Sequence, residues 1–251
     1  MYSVTASSLL AAWERGLSQP GARRLITVLA AVHPEYSEEY LLKLPLGRRD
    51  ALALETHERL FGSQLVSLAA CPVCHEQLEL NLNVADIRIG QVPTRDLACE
   101  VDGFRVEFRL PDSLDVMMAQ SASSASAAHQ LLLGRCVTSA TRKHRPCPID
   151  KLPEKVLANM EAAMSEADPQ ANIQLDLSCP ACRHTWLAAF DVAAFMWKEI
   201  HAWAQRILAE VHLLAKTYAW HEADILAMSP TRRRLYLEQI AGERSGEYRV
   251  R

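Results

Sequence analysis

The sequence predicts an α+β protein in which a zinc-ribbon-like pair of β hairpins is flanked by an N-terminal helical bundle and a long C-terminal helix. Three observations carry that prediction. Cys71-Pro72-Val73-Cys74 and Cys179-Pro180-Ala181-Cys182 are two copies of one four-residue knuckle. Each adjoins strand-like alternation: Leu78, Leu80, Leu82 and Val84 follow the first, and Ile173, Leu175 and Leu177 precede the second. Residues 191–218 carry an apolar stripe, Val192, Met196, Ile200, Trp203, Ile207, Val211, Leu214 and Tyr218, whose steps of three and four are helical.

Taken in chain order, residues 9–16 and 22–32 have helical apolar spacing and are parted by the breaker cluster Ser18-Gln19-Pro20-Gly21, which gives a helical hairpin. A short helix over 38–43 and a longer one over 49–60 follow, the latter stopped by Gly62. Strands are expected at 65–70 and 78–84 around the first knuckle. A further hairpin, 97–101 with 104–110, turns on Asp102-Gly103, a dipeptide suited to a type I′ turn. Residues 111–166 read as a helical insertion with an Ala/Ser-rich stretch (119–128) and a basic, proline-broken loop (141–153). Strands at 173–177 and 186–190 then bracket the second knuckle. After the long helix, Ser229-Pro230 opens another that runs to about 240, and the tail beyond Gly242 is expected to fray. The segments expected are 1–63 (helical), 64–110 (first knuckle hairpins), 111–169 (helical insertion), 170–190 (second knuckle hairpin) and 191–251 (C-terminal helices), folding as one cooperative unit.

Composition narrows the function classes. A chain of 251 residues that is 49% hydrophobic can bury a sizeable core. A net charge of −3 gives no global attraction to nucleic acid or anionic membrane. The apolar stretch near the N-terminus lacks a basic leader and is broken by Trp13, Glu14 and Arg15. No uncharged apolar run reaches the roughly 18–20 residues of a membrane span, so a soluble, cytoplasmic protein without membrane contact is expected. Glycine-rich phosphate loops, nucleophile elbows and His-Glu-x-x-His patterns do not occur, so neither an enzyme nor a small-molecule substrate is expected.

The cysteines carry the chemistry. A Cys-x-x-Cys turn places two sulfurs on one side of a tight loop and leaves a tetrahedral ion two ligands short; a second such turn completes it. Cys71, Cys74, Cys179 and Cys182 are therefore expected to hold one structural zinc ion. Four thiolates leave no open position for a water, so such a site stabilises rather than catalyses. Paired disulfides, a redox-active Cys-x-x-Cys, or ligand sets drawing on His75 or His184 are the competing readings. Cys99, Cys136 and Cys147 are singletons and read as packing thiols. His201, His212 and His221 show no i, i+4 pairing and read as surface or packing residues.

Two basic clusters, Arg142-Lys143-His144-Arg145 and Arg232-Arg233-Arg234, read as a solvated loop and the polar face of a helix. The competing reading is the footprint of a zinc-ribbon nucleic-acid-binding or transcription-associated module. On the long helix, Phe195, Trp197, Ala204, Leu208 and Ala215 add apolar area off the main stripe, and Trp197 and Leu208 are expected to border a partner-binding surface.

Leu44-Pro45-Leu46-Gly47-Arg48-Arg49-Asp50 leading an apolar helix, Phe61-Gly62 closing it, and then a strand, Cys71-Pro72-Val73-Cys74 and an alternating strand form a series of motifs. In order and spacing it resembles the baseplate hub assembly proteins of contractile phage tails and phage-tail-like injection systems. The similarity is clearest over residues 7–90, the second knuckle and long helix resemble longer members of injection-system clusters, and the insertion is poorly covered. The resemblance implies a non-enzymatic, chaperone-like assembly factor that binds baseplate hub, spike or tail proteins, in the producing cell or in the particle. It offers no catalytic residues, and only the zinc-type cysteines carry over, onto Cys71, Cys74, Cys179 and Cys182.

Overall fold

The computed structural model describes residues 4–89 and 97–245. Helix α1 (Ala6–Leu17) starts at a capping box in which Thr5 and Ser8 satisfy each other's backbone amides. It packs against α2 (Gly21–Val32), and after a turn come α3 (Glu38–Leu42), capped by Ser37, and α4 (Leu46–Phe61). Gly62 ends α4 with φ of 96°, a value that suits glycine.

Strands β1 (Gln64–Ala70) and β2 (Gln77–Asn83) form an antiparallel hairpin in which Leu65 faces Leu82. A single turn, α5 (Val84–Ile87), follows. Then β3 (Leu97–Val101) and β4 (Phe104–Phe108) pair around Asp102 and Gly103, whose φ values of 52° and 79° fit the expected type I′ turn. Helices α6 (Ser113–Ala119) and α7 (Ala125–Cys136) lead into β5 (Val137–Arg142), which pairs with β4 and with the short β6 (Arg145–Pro146). Helix α8 (Glu154–Ala167), the hairpin β7 (Gln174–Ser178) and β8 (Thr185–Ala189), the long α9 (Val192–Tyr218), α10 (Glu222–Ala227) and α11 (Pro230–Ser245) complete the chain.

Two expectations change here. Residues 111–169 are not wholly helical, because Val137 to Arg142 carries the β-branched residues Val137, Thr138 and Thr141, and β4 offers it an edge. The 97–108 hairpin therefore belongs to the insertion's four-stranded sheet, ordered β3-β4-β5-β6, and not to the first knuckle. Helix α10 was also unanticipated. It fills the interval before α11 and buries Ile225 and Leu226. Of the tail beyond Gly242, where the sequence predicts fraying, α11 takes residues up to Ser245, and residues 246–251 lie outside those described.

The packing forms two cores. The larger gathers α1–α4, Leu65, Val84, Ile87 and Ile173 around the inner stripe of α9. The smaller lies between the four-stranded sheet and α8, with Val106, Cys136 and Met160 fully enclosed. On α9 the buried residues are Val192, Phe195, Met196, Ile200, Ala204, Ile207, Val211 and Leu214. Phe195 and Ala204, off the main stripe, are thus core as well, while Trp203 and Tyr218 sit half-buried at its edge. Tyr218 stacks on Trp220 at 4.5 Å between ring centroids, and Tyr236 of α11 meets Trp220 edge-on at 4.8 Å. Among the described residues no helix is long and apolar enough to cross a membrane.

The insertion is tied to the main body by buried polar contacts at its neck. Helix α4 begins after Pro45 without a side-chain cap of its own. The cap is supplied by Asp168, whose Oδ2 accepts from the Gly47 amide at 2.9 Å. A carboxylate at a helix N-terminus also complements the helix dipole. Beside it, buried Arg49 donates to Asp50 at 2.7 Å and to Ser113 Oγ at 3.2 Å. Burial pushes the Asp50 carboxyl up to about 6 against the pull of Arg49, and burial likewise raises Asp168. Gln170 closes the same neck, accepting from the Ile89 amide at 2.6 Å and donating to the Ile87 carbonyl at 3.3 Å.

Farther along α4, His57 is enclosed between the rings of Phe61 and Phe195 with neither ring nitrogen hydrogen-bonded. Glu199 is 3.8 Å away, too far for a hydrogen bond, and burial lowers the imidazole's pKa.

A Cβ at position 47 would overlap the Asp168 carboxylate. Gly47→Ala is therefore expected to lower stability by about 1–3 kcal/mol despite alanine's better helix propensity, because overpacking outweighs that gain. Chemical denaturation checks this: an unchanged or raised midpoint would show that the neck yields freely.

Candidate metal centre

Each knuckle is built by the same local bonding. In the first, the Cys71 amide donates to the Glu76 carbonyl at 2.9 Å and the His75 amide to the Cys71 carbonyl at 3.0 Å. In the second, Cys179 donates to His184 at 2.9 Å and Arg183 to Cys179 at 2.9 Å. The fourth residue after the leading cysteine is left-handed in both, His75 with φ of 62° and Arg183 with φ of 60°. Pro72 and Pro180 occupy the next position after the leading cysteine, where their fixed φ helps set the turn. The internal repeat read from the sequence is thus a repeat of conformation as well as of residue type.

The hairpins bring all four sulfurs together. Cys71 Sγ lies 3.6 Å from Cys182 Sγ and Cys74 Sγ 3.5 Å from Cys179 Sγ, so each close pair takes one member from each hairpin. The four ligand atoms all fall within 4.8 Å of one another. A tetrahedral ion with metal–sulfur bonds of about 2.3 Å requires sulfur separations of about 3.8 Å. The donor set therefore fits a soft, tetrahedral divalent ion, and the cluster could hold one. Cys71 and Cys179 are buried, whereas Cys74 and Cys182 face solvent.

Electrostatics point the same way. Burial pushes the Cys71 thiol up, but the Cys74 and Val73 amides and the neighbouring thiols outweigh it and bring it down to about 6. The Glu76 amide draws Cys74 down, yet the crowding by Cys182 and Cys179 prevails and pushes it up to about 12. Four sulfurs this close cannot all ionise beside one another. A divalent cation removes that conflict, because it stabilises every thiolate it binds.

The competing readings fare less well. All seven cysteines are free thiols, and sulfur separations of 3.5 and 3.6 Å far exceed the roughly 2.05 Å of a disulfide. His75 and His184 fall outside the cluster, and the His184 ring stacks on Trp186 at 6.0 Å. Cys136 lies in the smaller core, where burial pushes its thiol up to about 11.

The basic clusters also have definite places. Arg233 is buried, with Nε donating to Glu210 at 2.9 Å, and Arg234 pairs with Glu238, so these arginines form no common patch. Arg142 lies over the Phe104 ring at 4.9 Å on the β5–β6 turn, where Lys143 and His144 are left-handed. Trp197 and Leu208 lie eleven positions apart on α9, about three turns along one side. Trp197 is half-buried and packs closely on Gly16, and Leu208 is exposed. Sequence reasoning missed the neck contacts, although it had singled out Gly47, Arg49 and Asp50 within one motif. His57 gave no signal at all, being a lone histidine in a helix.

Fold and site together define an α+β protein with an insertion, pinned by a four-cysteine cluster shared between two knuckles. The chain belongs to the family of T4 bacteriophage base plate proteins, whose family model matches residues 9–197, across both knuckles and the whole insertion. That family is one of phage baseplate structural proteins, typically non-enzymatic, whose members associate with other tail and baseplate proteins. The match extends well beyond residues 7–90, where the sequence resemblance was clearest. No curated protein and no solved structure matches.

Because each close sulfur pair spans both hairpins, Cys71→Ser and Cys179→Ser are expected to be equally damaging, each costing about 4 kcal/mol or more as the ligand set is broken. Either substitution should speed amide exchange in both hairpins. Exchange that rises only in the mutated hairpin would show that the half-sites are independent.

Proposed function

We propose that this protein is a zinc-stabilised, non-enzymatic assembly factor, chaperone or component of the baseplate hub of a contractile phage tail or tail-like injection system. The family match over residues 9–197 carries the reading. The cysteine geometry adds zinc: four thiolates at tetrahedral spacing match its preferred closed structural site. Such a site holds two hairpins in fixed relation and performs no chemistry of its own.

Its partners are baseplate hub, spike or tail proteins, met in the producing cell or in the particle. Apolar side chains stand outward on both hairpins, with Val66, Leu68, Val73 and Leu187 each more than half exposed and Val66 and Leu68 on one face of β1, and outward apolar side chains of this kind suit protein binding. Trp197 and Leu208 continue that role along α9. The nucleic-acid reading is weaker, because Arg233 is buried against Glu210 and Arg234 is paired within its own helix.

Protein purified without chelator is expected to carry about one zinc per chain by elemental analysis, since four ligands complete one tetrahedron. Two metals, or none, would defeat the shared site. In a second test, purified chain is mixed with purified hub and spike proteins of a contractile tail. Trp197→Ala should weaken retention at least tenfold with zinc content unchanged, as truncating a large aromatic anchor does at interfaces. Loss of zinc and solubility together would make Trp197 a core residue instead.

A further inference from the structure

At the junction of α2, α6 and α9 lies a cavity of about 370 Å³, within the range of small-ligand and side-chain pockets. Three cations line it: Arg24, Arg49 and Lys198. Two of them are fixed in advance. Arg24 donates to the Gly16 carbonyl at 3.2 Å with its guanidinium 5.0 Å from the centre of the Trp197 ring, and Arg49 is buried and held by Asp50 and Ser113.

The carboxylate on the wall, Asp191, is already engaged, because its Oδ1 accepts from the Ala194 amide at 2.9 Å as the N-cap of α9. Helix α2 opens into the same space at Gly21 and Ala22, with no side chain capping it and open room beside Gly21. Its first amides and dipole add to the positive field of the cations. Trp197 supplies an apolar wall.

We propose that this cleft binds a carboxylate side chain presented by a partner protein, seated between Arg24, Arg49 and Lys198 and packed on Trp197. The charge count favours a carboxylate over a phosphate. Arg49 is already offset by Asp50, with Asp168 behind it at the neck, so the lining charges left to meet a ligand are Arg24 and Lys198 against Asp191, a surplus of one that a monoanion neutralises and a dianion overshoots. An apolar wall beside fixed guanidinium groups suits an aspartate or glutamate flanked by an aliphatic residue, and preorganised cations lose little freedom on binding. The protein source rests on the baseplate-assembly reading; the anion site itself does not.

The test uses the purified full chain labelled with nitrogen-15 and three probes: the capped peptide acetyl-Leu-Glu-Leu-amide, its Gln counterpart, and sodium acetate. The Glu peptide is expected to shift the Gly21 and Ala22 amides and the Trp197 indole saturably, with a dissociation constant below about 10 mM, and the Gln peptide should leave them unmoved. Combining Arg24→Gln with Lys198→Gln should weaken binding at least tenfold; Arg49 is left in place because it is part of the neck. If that double variant misfolds, raised salt replaces it, since attraction to exposed Lys198 and half-buried Arg24 must weaken as the field is screened.

Equal shifts with the Gln peptide, indifference to the variant and to salt, or no saturation by the Glu peptide would each overturn the site. Acetate binding as tightly as the Glu peptide would make it a receptor for free small anions and overturn the partner assignment. Retention of hub protein is scored separately, so an empty cleft and a failed assembly reading give different results.

Discussion

Helix α9 must hide an apolar stripe about 40 Å long, since its 27 residues rise about 1.5 Å each, and no other single element of the protein could cover it. The remaining helices are arranged by that need. Helices α1, α2 and α4 line its first half, and α10 and α11 close over its second. Asp191 fixes where it starts, directly after the second knuckle, so the position of the sulfurs and the position of the core are set by one continuous piece of chain. His57 shows how strongly apolar burial governs this seam. A ring with two unsatisfied nitrogens is accepted there because Phe61 and Phe195 enclose it, at the cost of a depressed pKa.

Two long-range closures hold the insertion in a defined place. One is the neck, where Asp168 caps α4 and Gln170 pairs with the backbone around Ile87. The other is the sulfur cluster, which joins residues 105 and 111 positions apart. Loop-closure entropy grows only logarithmically, so a long intervening segment adds little to the cost of either. The insertion can therefore carry its own sheet and core without loosening the hairpins. The range matched by the family model, residues 9–197, includes the insertion.

The parts legible in the sequence were those with a short-range signature. Two matching Cys-Pro-x-Cys knuckles, period-two strands beside them and a long three-and-four stripe each leave a local pattern, and each is present. The Asp102-Gly103 turn was legible for the same reason. What escaped depended on partners far away. Strand β5 is a strand because β4 receives it, and its own residues were overshadowed by the Ala/Ser run before it. Phe195 and Ala204 are buried because α9 is flanked on more than one side, which periodicity along one helix does not reveal. Asp168 had no motif, since a cap delivered across 121 positions leaves no local trace.

The separation of the two knuckles also sets an order of events during synthesis. Cys71 and Cys74 leave the ribosome 105 residues or more ahead of the sulfurs they meet, an interval of roughly 5–20 s at ordinary elongation rates. Throughout it the first hairpin is an exposed two-stranded ribbon with two unsatisfied thiols, a form that is only marginally stable in water. The nascent chain can complete its first four helices and the insertion in that time, but it cannot lock the hairpins. Tertiary closure therefore comes late, as the second knuckle and α9 emerge one after the other, and newly made chains spend seconds with two cysteines of the cluster open to oxidation.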